Sequence, residues 1–327
     1  MIPGTRYAFQ VFHPTAPVLR VRYRRGVLVG PHGFPDWVPY ARAVVALPPL
    51  PAGLTVDEGR VAGVLAANLA MAGSLDPLWR GPDDHATPAG WTWAFLAMTR
   101  QVALVPVELH GAFRHLGGVS TTPATKPGRG VTVEPGDGSP PRVEFDERLA
   151  EDAVVKLEEH LGCPLPDAYR DFLARTNGGR PAAAAVHPRH GFLVDQPFFG
   201  LARKDRSQDL AYVSGWLRDR LTPHWLAVGY VQGGLLAVKV RGDDKGSVWY
   251  LDDDDPRDRD EYTAAEICDQ LLHRCADDFA SFWTSLRTVP GWLLDIAAGW
   301  VTTGAATPLT PDGMGADLPV ARGREGR

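Results

Sequence analysis

Hydrophobic positions recur with two periods along the first half of the chain, and the change of period separates a helix from two strands. From Thr55 to about Ala72 the apolar residues share one helical face, and Thr55 and Glu58 form a capping box that marks the start of the helix. Gly73 follows its last turn. Two short apolar runs come next, Gly90–Ala97 and Val102–Pro106, rich in the aromatic and β-branched residues that suit strands.

A short helix pattern follows the second apolar run and carries two histidines. His110 and His115 lie about one turn apart, and Gly117-Gly118 stops the pattern. With the polar turn at Thr99-Arg100, the predicted order is strand, turn, strand and helix. Such a ββα order, with histidines on the helix, is typical of units that hold one metal ion.

The second half of the chain changes to longer helical patterns. An amphipathic helix is predicted from Glu147 to Leu161, where Gly162 stops it, and Leu165-Pro166 opens a second helix that ends at Asn177-Gly178-Gly179. A last helix is predicted from Ile267 to Leu286. Strand candidates lie between these helices, at Trp225–Tyr230, Leu235–Val240 and Ser247–Leu251.

The stretch between the two halves predicts a domain boundary. Residues 123–142 are rich in Pro and Gly and poor in large apolar side chains, so they cannot bury a core and are predicted to be a linker. We therefore expect one domain at 1–122 and another at 143–300, and 327 residues with 44% hydrophobic content suffice for both. The tail at 301–327 lacks periodicity and is predicted to be disordered.

The cysteines, the apolar runs and the N-terminus indicate the cellular compartment of the protein. The three cysteines are odd in number and form no Cys-x-x-Cys pair, which favours reduced thiols in a cytoplasmic protein. Cys268 and Cys275 lie two turns apart in the predicted last helix and are expected on its buried face. No run of about 18 apolar residues predicts a membrane span. The N-terminus also lacks the basic-then-apolar pattern of a secretory signal.

Several motifs around the ββα unit resemble the HNH nuclease domains carried by bacterial polymorphic toxins. The resemblance spans roughly residues 30–120 and implies a metal-dependent nuclease fold. The shared motifs, in the order of that family, are Gly33–Trp37, Ala67-Asn68, Pro88-x-Gly90-x-x-Trp93, Leu104-Val105-Pro106, Leu109-His110 and His115-x-Gly117-Gly118.

One departure from the family concerns the chemistry itself. After the tryptophan the family carries two consecutive histidines, to which the resemblance assigns a metal ligand and the general base that activates water. This chain has Ala94 and Phe95 there, and neither side chain binds a metal or moves a proton. Taken singly, the other motif residues also have structural explanations, because Trp91 and Trp93 could fill a core and His115 could cap a helix.

The remaining imidazoles, His110 and His115, align with the later metal-ligand histidines of the family. A catalytic metal site normally has about three protein ligands and a water, so a ligand is missing. Asp83, Asp84 or His85 could supply it, although the same run is also an ordinary surface turn. We therefore expect either no cofactor or one divalent metal ion.

The second half of the chain resembles the SUKH superfamily, which includes many immunity proteins that neutralise nuclease toxins by binding them. The resemblance runs from Phe145 to Leu286, with Pro256–Ala265 and Val289–Val301 outside the pattern, and implies an α+β fold with a mixed sheet and packed helices. It supplies no catalytic residue. The signature positions are Leu161-Gly162, Leu165-Pro166, Tyr169, Phe172-Leu173 and Asn177-Gly178-Gly179.

Charge differs between the two halves. Residues 1–122 carry 10 Lys and Arg against 7 Asp and Glu, whereas residues 143–300 carry 18 against 27, so the net charges are +3 and −9. An acidic run is often only a solvated loop, but an acidic face also attracts a basic nuclease and competes with nucleic acid for it. The candidate partner-binding residues are Asp252, Asp253, Asp254, Trp249 and Tyr230.

These patterns and resemblances together predict a two-domain α+β protein. An HNH-like ββα-metal-type domain without its catalytic pair would precede a SUKH-type binding domain whose partner is a nuclease toxin. The enzymatic alternative is an active metal-dependent DNase held in check by its own SUKH domain, and only then would nucleic acid be a partner. Ala94 could also be an engineered change that silences a toxin, but Phe95 would still leave the site without a base. No membrane partner is expected, and the sequence leaves the oligomeric state open.

Overall fold

A computed structural model of the chain describes residues 6–7, 23, 26–30, 32–49, 51, 53–79, 85–111, 139–145, 148–253, 255, 257–258, 262–301 and 306–308. Helices pack against several antiparallel sheets, so the predicted α+β class is confirmed. Among the described residues, no helix combines the length and the apolar character needed to cross a bilayer.

The front region packs a sheet against one long helix. The helix α1 begins at the Thr55–Glu58 capping box, in which both hydrogen bonds are present, and Gly73 caps its end, as predicted. The strand, turn, strand and helix order of the ββα unit is also confirmed, up to His110. The elements are β1 Arg6–Tyr7, β2 Leu28–Val29, β3 Ala43–Ala46, α1 Val56–Ala72, β4 Trp91–Phe95, β5 Gln101–Pro106 and α2 Val107–His110.

The back region surrounds a four-stranded sheet with helices. Its first two helices end at Gly162 and Asn177, both in the left-handed conformation with φ of 65° and 43°, which confirms the predicted stops. The elements are β6 Val143–Glu144, α3 Glu151–Leu161, α4 Asp167–Thr176, β7 Arg180–Pro181, β8 Ala185–Val186, β9 Leu193–Val194, α5 Leu210–Trp216, β10 Trp225–Val231, β11 Gly234–Lys239, β12 Val248–Asp252, α6 Ala264–Gln270, β13 Leu272–Ala276, α7 Phe279–Ser285, β14 Arg287–Thr288, α8 Gly291–Val301 and β15 Ala306–Pro308.

The large sheet of the back region has the order β10-β11-β12-β13, and each of its ladders is antiparallel. The expected mixed sheet is therefore replaced by antiparallel pairing. The reason lies in the connections, because the two-residue turn Gln232-Gly233 joins β10 to β11 and so short a link can connect only antiparallel neighbours. The three predicted strands all occur here, within one or two residues of their predicted bounds.

The predicted last helix from Ile267 to Leu286 is wrong, because this stretch folds as helix, strand and helix. Thr263 and Glu266 form a capping box that starts α6, and Asp278 caps the start of α7. Between them β13 completes the large sheet by pairing with β12. Cys268 on α6 and Cys275 on β13 therefore share no helical face, and both are only half-buried.

The C-terminal part of the back region joins the front region. Helix α8 packs along α1, and β15 pairs antiparallel with β3, so the front sheet has the order β15-β3-β5-β4. Residues 306–308 thus form a strand where the sequence predicts a disordered tail. Residues 302–305, 309–327 and 123–138, which hold the rest of that tail and most of the predicted linker, lie outside the described part.

The described residues form two hydrophobic cores, and each combines residues of both regions. One packs Trp37, Ala94 and Leu109 of the front region with the back-region sheet. The other surrounds α1 and β5 and includes Leu193 and Trp300. The contact between the regions is therefore continuous apolar packing.

Candidate functional site

His110, the histidine at the end of α2, is covered by residues from both regions. Its ring stacks on Trp37, with ring centroids 5.1 Å apart and an angle of 26° between the planes. Its Nδ1 lies 3.7 Å from Oδ2 of Asp253, just beyond β12. The side chains of His110 and Asp253 are only 12% and 10% exposed. The imidazole therefore faces a carboxylate inside a closed contact.

The hairpin that precedes β12 closes on the same part of the front region. Tyr230 is buried, and a Cβ added to Gly111 would lie 3.2 Å from its ring, so the end of α2 touches this side chain directly. The turn residue Gly233 approaches the guanidinium of Arg60 so closely that an added Cβ would lie 2.8 Å from Nη1. Its φ of +85° is one that glycine adopts readily, so the turn and the close approach both require glycine.

Arg60, buried on α1, links the front region to the acidic end of β12. Its Nη2 lies 3.8 Å from Oδ1 of Asp252, and its Nη1 lies 3.6 Å from Oδ1 of Asp57. Burial raises the pKa of Asp57, while the charge of Arg60 lowers it and that of Asp252 raises it further. Two carboxylates thus share one buried guanidinium at this junction.

A buried hydrogen-bond network crosses between the regions beside the ββα unit. Oδ2 of Asp195 accepts from Oγ1 of Thr87 at 2.7 Å and from Nε2 of Gln232 at 3.0 Å. Gln232 also receives a hydrogen bond from Thr92 on β4, at 3.2 Å. The nearby Asn68 on α1 accepts from the indole Nε1 of Trp93 at 2.7 Å. These bonds fix the position of β4 against the back region.

Asp195 is the titratable centre of this network. Burial raises the pKa of Asp195 to about 6, although the hydrogen bonds from Thr87 and Gln232 lower it. Its second oxygen, Oδ1, is buried without a hydrogen-bond partner among the described residues. The network therefore holds a carboxyl whose ionisation is costly, so its strength depends on pH.

The two positions that carry histidines in the resembling family are filled by packing. Ala94 is 3% exposed and lies in the core shared with the back region. Phe95 points to α1, where its Cζ would lie 3.0 Å from a Cβ at Gly63, so the helix needs glycine to receive the ring. Ala94 is therefore enclosed in a core, and Phe95 is half-buried against α1.

Of the other predicted site residues, the described His85 and Trp249 make contacts of their own. The main-chain oxygen of His85 accepts a hydrogen bond from Asn68, and its side chain belongs to no metal-competent cluster in the described residues. Trp249 packs edge-to-face on Trp225 with centroids 5.3 Å apart. Asp83, Asp84, His115 and Asp254 lie outside the described residues.

The residues that join the regions were mostly missed in the sequence. Trp37 and Asn68 appear there only as parts of motifs, and Arg60, Asp195 and Gln232 belong to no motif. Their common feature is a polar group on an otherwise apolar face, which could have drawn attention to them as buried partners.

Fold and contacts together define a two-part α+β protein, in which a domain with a four-stranded sheet is folded onto a nuclease-like ββα unit. Residues 148–284 match the SMI1/KNR4 family (SUKH-1), and residues 83–124 match a nuclease of the HNH/ENDO VII superfamily with conserved WHH. The chain therefore carries a SUKH-1 domain fused to an HNH-like nuclease segment. In place of the WHH of that superfamily it has Trp93, Ala94 and Phe95. No curated protein matches the chain.

Proposed function

We propose that the chain is a non-catalytic binding protein of a bacterial toxin–immunity system. Its SUKH-1 domain would hold the HNH-like segment in cis and sequester a related nuclease toxin in trans. The observation that carries this proposal is the cover over α2, in which Asp253 of the SUKH-1 domain faces His110 of the HNH-like segment at 3.7 Å.

The chemistry of the HNH-like segment argues against cleavage. General-base catalysis requires a group that accepts a proton within hydrogen-bond reach of the nucleophilic water. Ala94 and Phe95 offer no such group, and Ala94 is buried under the back region. His110 and His115 together provide fewer ligands than the about three that a catalytic metal site normally has.

The charge of the contact indicates what the SUKH-1 domain recognises. Asp252 and Asp253 face Arg60 and His110, so an acidic edge of the domain meets basic side chains beside a ββα unit. A nuclease toxin presents basic groups in order to bind phosphates, and the same edge complements them. We therefore propose that the toxin competes with the chain's own segment for this edge.

A second function is compatible with the same contact between Asp253 and His110. If the missing ligand and base came from another part of the chain, the front region would be an active DNase and the SUKH-1 domain its inhibitor in cis. The burial of His110 is what such inhibition would require. The two functions differ in whether the protein cleaves DNA when the contact between the SUKH-1 domain and α2 is weakened.

Plasmid cleavage by variants with a weakened contact between the SUKH-1 domain and the front region distinguishes these two functions. The full chain should be tested with Mg²⁺, Mn²⁺, Zn²⁺ and Ni²⁺, because a front fragment would lose α8 and β15, which pack on α1 and β3. We expect no cutting by the wild type or by Arg60→Met. Metal-dependent cutting by Arg60→Met that is abolished by adding His110→Ala would overturn the non-catalytic proposal.

Inhibition of an HNH-type nuclease that has an intact Trp-His-His tests sequestration. Arg60→Met weakens the cis contact from the front side alone and should strengthen inhibition, whereas Asp253→Asn weakens the cis and trans contacts together and should change inhibition less. Asp171→Asn, at an exposed position on α4, is the matched control and should change nothing. Equal inhibition by all four proteins would reject the acidic edge as the binding surface.

A further inference from the structure

A cluster of metal-competent side chains lies in the SUKH-1 domain, apart from the HNH-like segment. His187 follows β8, His190 lies three residues later in the turn toward β9, and Cys275 lies on β13. One potential ligand atom from each residue lies within 4.8 Å of the others. We propose that His187, His190 and Cys275 form a zinc site, with a water molecule completing the four ligands.

The hydrogen bond of His190 selects the tautomer in which Nδ1 is free to be a metal ligand. Its Nε2 lies 2.9 Å from the main-chain oxygen of Arg274, and since a carbonyl only accepts, this nitrogen carries the proton. The lone pair of the neutral ring is then on Nδ1. Metal-bound histidines commonly donate their second nitrogen to a backbone carbonyl in this way, which fixes the ring and its tautomer.

His187 is buried with little to hold its ring nitrogens. Its Nδ1 accepts a 3.3 Å hydrogen bond from the main-chain nitrogen of His190, and its Nε2 has no hydrogen-bond partner among the described residues. The residue is 2% exposed, so water does not compensate. Zinc at Nε2 would satisfy this nitrogen, and the ring proton would move to Nδ1 at the expense of the longer contact.

The protonation states suit metal binding at neutral pH. Burial lowers the pKa of His187 to about 3, and the neighbouring His190 acts in the same direction, while the backbone of Cys275 opposes them without reaching hydrogen-bond geometry. Burial also lowers the pKa of His190. Both rings are therefore neutral ligands. Burial raises the pKa of the Cys275 thiol, so zinc would displace its proton to the solvent as the zinc–sulfur bond forms.

The donor set favours zinc over the hard cations. Two imidazoles and one thiolate are ligands for Zn²⁺, whereas Mg²⁺ and Ca²⁺ prefer oxygen. The half-buried His190 and Cys275 leave an approach for the ion and for a water in the fourth position. The site differs in this respect from the HNH-like segment, whose remaining ligands contain no sulfur.

The cluster lies where a bound metal would affect the contact between the two regions. Gly191, next to His190, approaches α1 so closely that an added Cβ would lie 2.7 Å from Cβ of Asp57. The turn that carries both histidines therefore contacts the start of α1. A zinc ion that joins this turn to β13 would stabilise the contact between the two regions.

Cobalt(II) substitution in the tag-free full chain tests the site. We expect one Co²⁺ per chain with a thiolate-to-cobalt charge-transfer band that Zn²⁺ displaces, and a higher Tm with Zn²⁺. Cys275→Ser should lose the band and the Tm shift. His190→Gln should weaken binding by at least about tenfold, because changing only a supporting group typically costs that much.

Cys163→Ser is the matched control, since Cys163 is also a free, half-buried cysteine but lies outside the cluster, and it should keep the band. Circular dichroism checks that each variant folds, and if Cys275→Ser does not, His190→Gln decides. A folded wild type without the band, or a band that survives Cys275→Ser, would overturn the zinc site. Cobalt bound only near His110 would lack the sulfur band and would also overturn it.

Discussion

Asp195→Asn should remove a pH dependence that the wild-type protein carries at the junction of its two regions. The pKa of Asp195 is about 6 in the folded chain and has an ordinary value of 3.8. A folded-state pKa above the unfolded one means that the folded chain holds the proton more tightly. The stabilisation is therefore complete below about pH 4 and is lost as the pH rises through about 6.

The size of the effect follows from the two pKa values. Their difference corresponds to about 3 kcal/mol, of which about 2 kcal/mol falls between about pH 4 and about pH 7. The asparagine does not titrate and can still accept the hydrogen bonds from Thr87 and Gln232 through its oxygen. The free energy of unfolding of Asp195→Asn minus that of the wild type should therefore increase by about 2 kcal/mol from about pH 4 to about pH 7.

Urea denaturation followed by tryptophan fluorescence at several pH values measures this difference. Other titrating groups contribute equally to both proteins and cancel. Asp255→Asn is a control of opposite sign: burial would raise the pKa of Asp255, but hydrogen bonds from His273 and Arg257 outweigh it and hold that pKa well below its usual range. Wild-type Asp255 should thus lose its stabilising effect as the pH falls. A difference for Asp195→Asn that does not change with pH, or that changes in the opposite direction, would refute the reasoning.

Three further variants test the packing around the ββα unit. Ala94→His should lower the free energy of unfolding by about 1–3 kcal/mol through overpacking, measured by urea denaturation, and should give no metal-dependent plasmid cleavage. Asn68→Ala should cost about 1–3 kcal/mol in the same assay, because the buried Nε1 of Trp93 loses its acceptor. Truncation after Val301 removes β15 and should speed amide hydrogen exchange at Ala43–Ala46, whereas unchanged exchange would contradict the pairing.

Local signals in the sequence predict the elements of the front region well. The start of α1 is fixed by a hydrogen-bonded exchange between Thr55 and Glu58, three residues apart, and its end by the adjacent Gly73. The ββα order follows from two apolar runs and a short polar turn. Each of these features depends on residues that are close in the sequence, so it can be predicted without knowledge of tertiary contacts.

Features that depend on distant residues could not be predicted in this way. Gln232 and Thr87 are separated by 145 residues, and no pattern in either neighbourhood indicates the other. The acidic run after β12 has no periodicity that would give it a face, so the sequence could not show that Asp253 turns inward to His110. The apolar spacing between Ile267 and Leu286 predicts one helix, which does not form because β13 pairs with β12 instead.

The covalent link between the two regions sets how tightly a toxin can bind in trans. A tethered partner acts at an effective concentration on the order of millimolar, so the HNH-like segment occupies the acidic edge unless its contact is weak. A competitor then binds only the fraction of molecules in which the edge is open, and its apparent affinity falls by that fraction. Each loss of about 1.4 kcal/mol in the cis contact raises that fraction up to about tenfold. This is why Arg60→Met, which removes an ion pair from the front side alone, should make the chain a stronger inhibitor, whereas Asp253→Asn weakens the cis and trans contacts together and should change inhibition less.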